Sequence, residues 1–508
     1  MAGLDLDRAV DANSLPRESS VAEVDRIIGD ADQVAPALFE IGAAGRARLL
    51  SEMADEMERD IDALVEVSDA ETALGEPRLR AEAARACYQL RFFAGVVREG
   101  SYLEATIDHA TTTPTGPTPD LRRMLYPLGP VAVFGASNFP FAFSVPGQDT
   151  ASAIAAGCPV VAKAHPAHPV TSERSVAALR RAAASCGMPE ETVGLVYGLR
   201  AGGDIVRHRA IRAVGFTGSQ RAGRALFDLA SARSDPIPFY GELGSVNPVV
   251  VTPQAARERP EGIGADFVAS FTLSLGQYCT KPGLFFVPAG KDGDAVRAAA
   301  SSAVGAVPPG ILLTLDIREF FMSGIDLVGR VENVSALARG DRAPGTKKVA
   351  VSPVLFEVDA ATLASPEGRM LRREYFGPTA IVVDYANEDD LVAALGTLDN
   401  SLAGAMEIGE GETALPKRLA EFWRDRVGRI VVNGYPTGVA INWAIHHGGP
   451  YPATTNPLHT SVGASAIRRW LRPVAFQSMP DELLPPELQE QNPLAIPRRV
   501  DGVMVPVA

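Results

Sequence analysis

The fold class is decided by residues 130–164, which read PVAVFGASNFPFAFSVPGQDTASAIAAGCPVVAKA. Two short apolar runs, 130–136 and 159–164, flank the segment DTASAIAAG, whose pattern is typical of a helix. A strand, a helix and a second strand in this order form a βαβ unit, which is the building block of parallel sheets. The stretch therefore predicts an α/β fold.

The same alternation of strand-like and helix-like patterns continues to Thr252. The further runs are TSERSVAALRRAAASCG (171–187), TVGLVYG (192–198), RAVGFTG (212–218), SQRAGRALFDLASA (219–232), IPFYGEL (237–243) and NPVVVT (247–252). Residues 130–252 are thus predicted to form one parallel sheet with helices around it. The carboxyl ends of the strands in such a sheet are where cofactors bind.

Residues 253–430 mix helix and strand patterns a second time. The helical patterns are GADFVASFTLSLG (264–276) and DAVRAAASSAVGA (294–306), and the strand patterns are LFFVP (284–288), AIVVDY (380–385) and RIVVN (429–433). This segment is therefore predicted to be a second α/β domain.

The two ends of the chain differ from these central segments. Residues 1–105 are predicted to be largely helical, because Leu49, Met53, Met57 and Ile61 recur at helical spacing. Residues 106–129 lie between apolar runs and contain the breaker-rich TTTPTGPTP, which predicts a hairpin arm of two long strands. Residues 431–508 contain PDELLPPELQEQNPLAIP (480–497), which has neither helical nor strand period and predicts an irregular tail lying on a surface.

Composition excludes several classes of function. The 508 residues carry 48 Lys and Arg against 61 Asp and Glu, a net charge of −13, so the overall field repels nucleic acid and anionic membranes. No apolar run reaches the roughly 18 residues of a membrane span, and acids occupy the N-terminal stretch where a signal peptide is basic and apolar. We expect a soluble cytoplasmic protein. The four cysteines lack zinc-site spacing, so no metal is expected.

Three residues could carry out chemistry. Cys279 lies in the polar sequence SLGQYCTKPG, and its local context fits either a small buried residue or a nucleophile. Glu242 ends a predicted strand and is either a solvated loop carboxylate or a partly buried general base with a raised pKa. Asn138 follows another strand and either forms an Asx turn before Pro140 or donates its amide to an oxyanion.

A strand-to-helix junction supplies a fourth candidate feature. Gly218 and Gly223 in FTGSQRAG lie where a helix N-terminus can face a phosphate, although the spacing matches no general nucleotide motif. The sequence also lacks GxSxG and HExxH motifs, which argues against common hydrolases and metalloproteases.

Taken together and in order, these motifs resemble the aldehyde dehydrogenase superfamily. The matching segments are SNFPF (137–141), VVAK (160–163), FTGS (216–219), ELGSVNP (242–248), GQYCT (276–280), EYFGP (374–378) and NPLHTSVG (456–463). The resemblance implies a variant Rossmann cofactor domain over 130–252, a catalytic domain over 253–430 and a β-hairpin oligomerisation arm over 106–129. It further implies that 1–105 and part of 431–508 belong to the cofactor domain, that the rest of 431–508 is an oligomerisation tail, and that the subunits form homodimers or homotetramers.

The resemblance also implies roles for individual residues. Cys279 would be the nucleophile and Glu242 the general base, with Asn138 and the Cys279 backbone N–H forming the oxyanion hole. The cofactor NAD or NADP would contact residues that match the family's motifs: Lys163 at the adenosine ribose, Gly218 and Ser219 at the pyrophosphate, Glu374 at the nicotinamide ribose and Phe376 beside the ring. An aldehyde would then be oxidised to an acid through a thiohemiacetal and a thioester on the cysteine.

One departure from the family pattern bears on the cofactor. Where NAD-preferring relatives often have Lys-Pro-x-Glu, this chain reads Lys163-Ala164-His165-Pro166, so the acid that would bind the ribose hydroxyls is missing. Removing that acid and adding a base favours NADP. His165 and Arg200 are the candidate contacts of the 2′-phosphate, and a solvated surface arginine is the alternative for Arg200.

The motifs KAHPAHP and HHGGPYPATTN look most like the branch of this superfamily that contains α-ketoglutaric semialdehyde dehydrogenases. That branch implies an oxo-acid semialdehyde as substrate, whose distal carboxylate needs an arginine that the sequence does not identify. A broad-specificity or long-chain aliphatic aldehyde dehydrogenase using NADP is the alternative. A catalytically silent relative is a remote third interpretation, since the motif residues are intact.

Two further side chains are assigned by this comparison to the neighbourhood of the nucleophile. His447 either tunes the ionisation of Cys279 or is a structural histidine bonded to backbone. Phe143, with Phe139 and Phe141, either lines an apolar tunnel or packs in the core.

Overall fold

A computed structural model describes residues 16–341 and 350–506. The N-terminal stretch on which the expectation about a signal peptide rests lies largely outside these residues. The helices are α1 (Val21–Glu40), α2 (Gly42–Arg59), α3 (Ile61–Thr72), α4 (Glu76–Glu99), α5 (Gln148–Ala156), α6 (Pro169–Ser185), α7 (Leu199–Arg207), α8 (Gln220–Ser231), α9 (Pro253–Glu258), α10 (Pro260–Thr272), α11 (Lys291–Gly305), α12 (Leu315–Val328), α13 (Ala360–Ala364), α14 (Glu388–Gly396) and α15 (Ala414–Trp423).

The strands are β1 (Thr106–Asp108), β2 (Thr111–Thr113), β3 (Gly116–Thr118), β4 (Leu121–Pro127), β5 (Val131–Phe134), β6 (Val160–Lys163), β7 (Val193–Val196), β8 (Ala213–Thr217), β9 (Phe239–Glu242), β10 (Val249–Val251), β11 (Leu284–Pro288), β12 (Ser335–Arg339), β13 (Val354–Asp359), β14 (Thr379–Tyr385), β15 (Ser401–Glu407), β16 (Val427–Val432), β17 (Leu471–Gln477), β18 (Arg498–Val500) and β19 (Val503–Val505). Short 3₁₀ turns cover 101–103, 190–192, 273–276, 367–372, 464–470, 481–483 and 486–488. The predicted α/β class is confirmed.

The first sheet has the strand order β7-β6-β5-β8-β9, and all neighbouring pairs are parallel. Its strands read as continuous apolar runs because both faces are covered. Residues of α2, α4, α5 and α6 pack on one face, and residues of α1, α7 and α8 pack on the other. The chain reverses its direction of travel across the sheet between β5 and β8, which creates a crevice at their carboxyl ends.

The second sheet has the order β12-β13-β14-β11-β10-β15-β16, with only the β12/β13 pair antiparallel. The run NPVVVT, which the sequence analysis grouped with the first sheet, forms β10 near the centre of this second sheet. An apolar run buried on both faces has the same pattern in either sheet, so the sequence does not show to which of the two sheets this run belongs. Phe267 and Phe285 stack in the core of this unit with ring centroids 3.9 Å apart.

The hairpin and the tail together form a third sheet, of order β17-β4-β1-β18-β19. The predicted hairpin is present as the antiparallel pair β1/β4, but a smaller hairpin, β2/β3, interrupts it. The tail has only short 3₁₀ turns over 480–497, as its irregular pattern predicts, and it adds β18 and β19 to this sheet beyond that stretch. Its strands have three residues each, too short for a period of two to be visible in the sequence.

The segment after β16 returns to the first sheet. Trp470 is fully buried, and its indole Nε1 donates a hydrogen bond of 2.8 Å to Ser152 Oγ in α5. Leu243 N–H donates to the carbonyl of Ala453 at 2.8 Å, so residues 446–470 run alongside the end of β9. This return brings residues from the end of the chain to the edge where β9 ends. Within the described ranges, no helix combines the length and the apolar character needed to cross a membrane.

Candidate active site

Four strands of the first sheet end at one edge and carry the residues that the sequence analysis selected. Asn138 follows β5, Lys163 ends β6, Ser219 follows β8 and Glu242 ends β9. Since carboxyl ends of parallel strands lie side by side, these side chains surround the crevice at the switch point. The sequence motifs, separated by about a hundred residues, therefore meet in space.

Cys279 lies in a loop between α10 and β11 whose approach is a tight left-handed turn. Ser274, Leu275 and Gly276 have φ values of 51°, 55° and 67°. A Cβ at position 276 would lie 2.2 Å from the carbonyl oxygen of Gly377, so only glycine fits there. The turn directs the chain from the end of α10 into the crevice, with Cys279 three residues further on.

One buried side chain, that of Asn247, fixes the Cys279 loop through hydrogen bonds. Asn247 is fully buried, and its Nδ2 donates to the carbonyls of Cys279 at 2.9 Å and Lys281 at 3.0 Å. Its Oδ1 accepts from Ser245 Oγ and from Ala403 N–H, so both ends of the amide are fixed. A nucleophile needs this kind of support, because small displacements from attack geometry lower the rate.

Cys279, His447 and Glu242 form a compact cluster. The Cys279 sulfur lies 3.7 Å from Nε2 of His447, and the same nitrogen lies 2.9 Å from Glu242 Oε1. Ser461 Oγ donates to the other carboxylate oxygen, Oε2, at 2.7 Å. The reactive atoms of Cys279, His447 and Glu242 all lie within 4.8 Å of one another. The cluster therefore brings a thiol, an imidazole and a carboxylate to one point beside the crevice.

Glu242 is buried, yet its pKa is held below the ordinary value for a glutamate. Burial alone would raise this pKa, but the interaction with His447 and the hydrogen bonds from His447, Ser461 and Cys279 together outweigh it. The expectation of a raised pKa was therefore wrong in direction, because the sequence did not reveal these partners. The carboxylate is ionised at neutral pH and is available as a proton acceptor.

The opposite holds for Cys279, whose thiol has a pKa well above the ordinary value. Burial is the main cause, and the negative charges of Glu242 and Glu374 add to it. From the sequence, His447 either tunes the ionisation of Cys279 or is a structural histidine. In this structure the burial and the carboxylates dominate, so the resting thiol is protonated at neutral pH.

This electrostatic arrangement predicts that Glu242→Gln will make Cys279 easier to alkylate. The amide removes a negative charge that opposes the thiolate, so the pKa of Cys279 falls and alkylation by iodoacetamide at about pH 8 accelerates by about threefold to tenfold. In both proteins the rate should rise with pH, since the thiolate is the reactive form. The rate is measured by mass spectrometry on the peptide that contains Cys279.

Cys186 supplies the internal control, because it is partly exposed at the end of α6 and distant in sequence from the cluster. Its alkylation rate should be the same in both proteins. Slower alkylation of Cys279 in the variant would mean that Glu242 acts on the free thiol chiefly as a proton acceptor, contrary to this prediction.

Asn138 is buried and donates from Nδ2 to the carbonyl of Gln277 at 2.8 Å, next to the nucleophile's loop. The loop that carries it is fixed by Glu82 of α4, whose Oε1 accepts the N–H groups of Phe141 at 2.8 Å and Ala142 at 3.1 Å. Burial raises the pKa of Glu82 to about 7, against the opposing charge of Arg78. The amide of Asn138 thus lies beside the Cys279 loop, where an oxyanion donor is required.

A cavity of about 230 Å³ opens next to the cluster. Its lining combines aromatic, charged and catalytic candidates: Arg78, Ala81, Glu82, Arg85, Phe139, Phe143, Tyr278, Cys279, Thr280, Gly438, Val439 and His447. Phe139 and Phe143 line the cavity as the tunnel interpretation requires, whereas Phe141 is fully buried in the core.

The other side of the crevice carries the candidates for cofactor binding. Burial lowers the pKa of Lys163 to about 8, with Glu18 opposing that shift. Gly218 and Ser219 are exposed at the first turn of α8, where Ser219 Oγ accepts the N–H of Ala222. An ammonium group and an open helix N-terminus at the same edge of the sheet are features that suit the ribose and phosphates of a dinucleotide.

The two candidates for a 2′-phosphate have other contacts. His165 is kept neutral, since burial and the charges of His168 and Lys163 hold its pKa well below the ordinary value. Arg200 lies near Glu18 and donates to Asp204 at 2.6 Å and to the carbonyl of Ser19 at 2.5 Å. His165 can offer a hydrogen bond but no positive charge, and Arg200 already has an anionic partner.

Glu374 and Phe376 lie in the loop before β14, and both are half-buried. Burial raises the pKa of Glu374 to about 7, with Lys281 opposing the shift. A Cβ on Gly244 would lie 2.2 Å from Glu374 Oε2, so the carboxylate packs directly on the backbone that follows Glu242. Glu374 therefore lies near the cluster, and its charge acts on the Cys279 thiol.

A scan against family models matches residues 14–450 to the aldehyde dehydrogenase family. The chain belongs to the aldehyde dehydrogenase family. Among characterised relatives, it is 46% identical over 463 residues to alpha-ketoglutaric semialdehyde dehydrogenase 2 of Azospirillum brasilense, covering 90% of this chain and 87% of that one. It is 41% identical over 460 residues to the alpha-ketoglutaric semialdehyde dehydrogenase of Acinetobacter baylyi, with the same coverage.

Solved structures support the aldehyde dehydrogenase fold. PnpE from Pseudomonas sp. WBC-3 superimposes with a TM-score of 0.76 at 22% identity, covering 91% of this chain and 90% of that one. Aldehyde dehydrogenase C from Pseudomonas syringae gives a TM-score of 0.76 at 20% identity, with the same coverage. The predicted function is confirmed at the level of the family reaction, the NAD(P)-dependent oxidation of an aldehyde.

The sequence analysis of this aldehyde dehydrogenase missed several residues around the site. Ser461 and Asn247 lie inside quoted motifs but were given no role, although their hydrogen bonds fix Glu242 and the Cys279 loop. Arg78, Glu82 and Arg85 lie in α4, which shows only an ordinary amphipathic pattern. Their spacing of four and three residues, which places three charged side chains on one side of a helix, was the sequence signal that could have identified them.

Proposed function

We propose that this protein oxidises α-ketoglutaric semialdehyde to 2-oxoglutarate, with NADP preferred over NAD, through a covalent intermediate on Cys279. The observation that carries the chemistry is the cluster of Cys279, His447 and Glu242 at the mouth of a cavity. The substrate is supported by the relatives from Azospirillum brasilense and Acinetobacter baylyi, at 46% and 41% identity over nine tenths of the chain.

The first step is addition of the Cys279 sulfur to the aldehyde carbon. The thiol releases its proton to solvent, the carbon–sulfur bond forms and the electron pair of the carbonyl double bond moves to the oxygen, which gives an alkoxide. Asn138 Nδ2 and the backbone N–H of Cys279 are the donors that we assign to this oxyanion. Because the resting thiol has a raised pKa, kcat/KM is expected to rise with pH from the neutral range upward.

The cofactor would be held by Lys163, Ser219 and Glu374 along the crevice. When bound, NAD(P) accepts the hydride that leaves the former aldehyde carbon. The residues of the chain then hold a thioester on Cys279, in a cavity that Phe139 and Phe143 keep largely apolar. The assignment of NADP rests on the sequence Lys163-Ala164-His165-Pro166, which lacks the acid that would oppose a 2′-phosphate.

Glu242 completes the turnover by taking a proton from a water that attacks the thioester. Its pKa lies below the ordinary value, so the base is ready throughout the neutral range. His447 and Ser461 hold one carboxylate oxygen each and so orient the base. The products are 2-oxoglutarate and the free Cys279 thiol, and none of these steps requires a metal ion.

Assembly and location are also part of the proposal. The third sheet ends in β19, whose residues Val503, Met504 and Val505 are exposed, and an unpaired apolar edge strand fits pairing within a homodimer or homotetramer. All four cysteines are free, which fits the reducing cytoplasm.

The test is a comparison of kcat/KM for α-ketoglutaric semialdehyde and for octanal, each with NADP and with NAD. We expect the semialdehyde to be preferred by at least about tenfold, which is about 1.4 kcal/mol of transition-state discrimination. With the preferred aldehyde, NADP should exceed NAD by a similar factor. A preference for octanal would favour a fatty aldehyde dehydrogenase, which the aromatic lining of the cavity also suits.

A further inference from the structure

One face of helix α4 carries charge into the substrate cavity. Arg78, Glu82 and Arg85 are spaced by four and three residues, so they lie on the same side of the helix, and all three line the cavity that contains Cys279. Two guanidinium groups and one carboxyl group leave a net positive charge on this wall. The three side chains form different hydrogen bonds, which indicate one role for Arg78 and Glu82 and another for Arg85.

Arg78 and Glu82 form hydrogen bonds with the loop that carries Asn138. Arg78 Nη2 donates to the carbonyl of Asn138 at 2.5 Å, and its guanidinium lies 5.1 Å from the ring centroid of Phe139. Glu82 accepts two backbone N–H groups of the loop that follows Asn138. Both residues therefore position the oxyanion donor. Arg78 Nε and Nη1 are also buried without a partner, but they lie on different edges of the guanidinium, so they cannot bind one carboxylate together.

Arg85 differs from them. Its Nη1 donates to the carbonyl of Val439 at 2.7 Å, and its guanidinium carbon lies 5.7 Å from the ring centroid of Phe143; Val439 and Phe143 both line the cavity. Its Nε and Nη2 are out of contact with solvent and have no hydrogen-bond partner among residues 16–341 and 350–506. No carboxylate of those residues lies within ion-pair distance of it.

The two unpartnered nitrogens of Arg85 form a single edge. Nε–H and the nearer N–H of Nη2 point in parallel, and this edge binds a carboxylate through two hydrogen bonds at once. Buried donors without partners destabilise a protein unless a ligand uses them. The ionisable groups that interact electrostatically with Arg85 are Glu82, Tyr278 and Cys279, and all three line the same cavity as Arg85.

We propose that Arg85 binds the distal carboxylate of the substrate and thereby makes the enzyme selective for aldehydes that carry a carboxylate at the far end. The inference rests on the proposed function, because it takes the aldehyde carbon to lie at Cys279. In α-ketoglutaric semialdehyde, three carbon atoms separate that carbon from the carboxylate, so the substrate would lie along the aromatic wall between Cys279 and Arg85.

The test compares Arg85→Gln with the wild-type enzyme on α-ketoglutaric semialdehyde and on pentanal, which has the same number of carbons and no charge. Loss of a bidentate charged contact is expected to lower the ratio of the two kcat/KM values by about 30-fold to 100-fold. Arg85→Lys keeps the charge without the paired edge and should fall in between. Arg80→Gln is the matched control, since Arg80 is on α4 but faces Glu76 and Asp62 at the surface.

A second readout separates this inference from the choice of substrate. Glutarate should inhibit pentanal oxidation by the wild-type enzyme, and Arg85→Gln should raise its inhibition constant at least about tenfold. If the wild type does not prefer the semialdehyde but glutarate inhibition still depends on Arg85, the proposed substrate is wrong and the arginine assignment holds. If the variant keeps both the semialdehyde preference and glutarate inhibition, the assignment to Arg85 is overturned.

Discussion

Cys279→Ala is expected to lower kcat/KM for every aldehyde by at least about 10⁴-fold, because it removes the sulfur that forms the covalent intermediate. The three other cysteines cannot substitute, since Cys87 and Cys158 are buried in the core around the first sheet and Cys186 lies at the end of α6. The measurement is the initial rate of NADPH formation over a range of aldehyde concentrations, with the thermal unfolding midpoint recorded to show that the variant folds.

Cys186→Ala is the matched control for this substitution. It removes a partly exposed thiol outside the cavity and should leave both kcat/KM and the unfolding midpoint unchanged. Substantial activity in Cys279→Ala would mean that the reaction does not proceed through this sulfur.

Glu242→Gln is expected to lower steady-state turnover by about 10²-fold to 10⁴-fold, which is the range that a positioned general base contributes. Hydrolysis of the thioester needs this base, because the attacking water must lose a proton. Formation of the thioester, which releases NADPH, does not need Glu242. The variant should therefore release one equivalent of NADPH per active site in a rapid burst and then nearly stop. Stopped-flow absorbance measures both phases.

Glu410→Gln, at an exposed position in the turn after β15, is the control and should show wild-type turnover without an added burst. If Glu242→Gln shows neither burst nor turnover while remaining folded, the base acts before hydride transfer. If it turns over at the wild-type rate, Glu242 is not the base.

The strands of the first sheet could be predicted because their environment leaves a clear pattern. Residues 131–134 and 160–163 are buried at every position, so they read as unbroken apolar runs between breakers. Because of the same burial, the sequence did not show to which sheet β10 belongs: a strand buried on both faces has the same apolar pattern whatever its neighbouring strands are. The short strands β18 and β19 were invisible for lack of length.

The nucleophile and the base could be predicted because ordered motifs surround Cys279 and Glu242. Their electrostatics could not be predicted, because the pKa of Glu242 depends on His447 and Ser461, which lie about 200 residues away. Arg85 escaped prediction for a similar reason. From sequence, an arginine on an amphipathic helix is predicted to lie on the protein surface, and the cavity beside Arg85 becomes visible only in the structure.

The most direct test of the account is the intact mass of Glu242→Gln after mixing with α-ketoglutaric semialdehyde and NADP. The account predicts that the protein gains the mass of one 2-oxoglutaryl group, located by fragmentation on Cys279 and absent when Cys279→Ala is combined with the first substitution. An unmodified protein after a full burst of NADPH, or an acyl group on another residue, would contradict it.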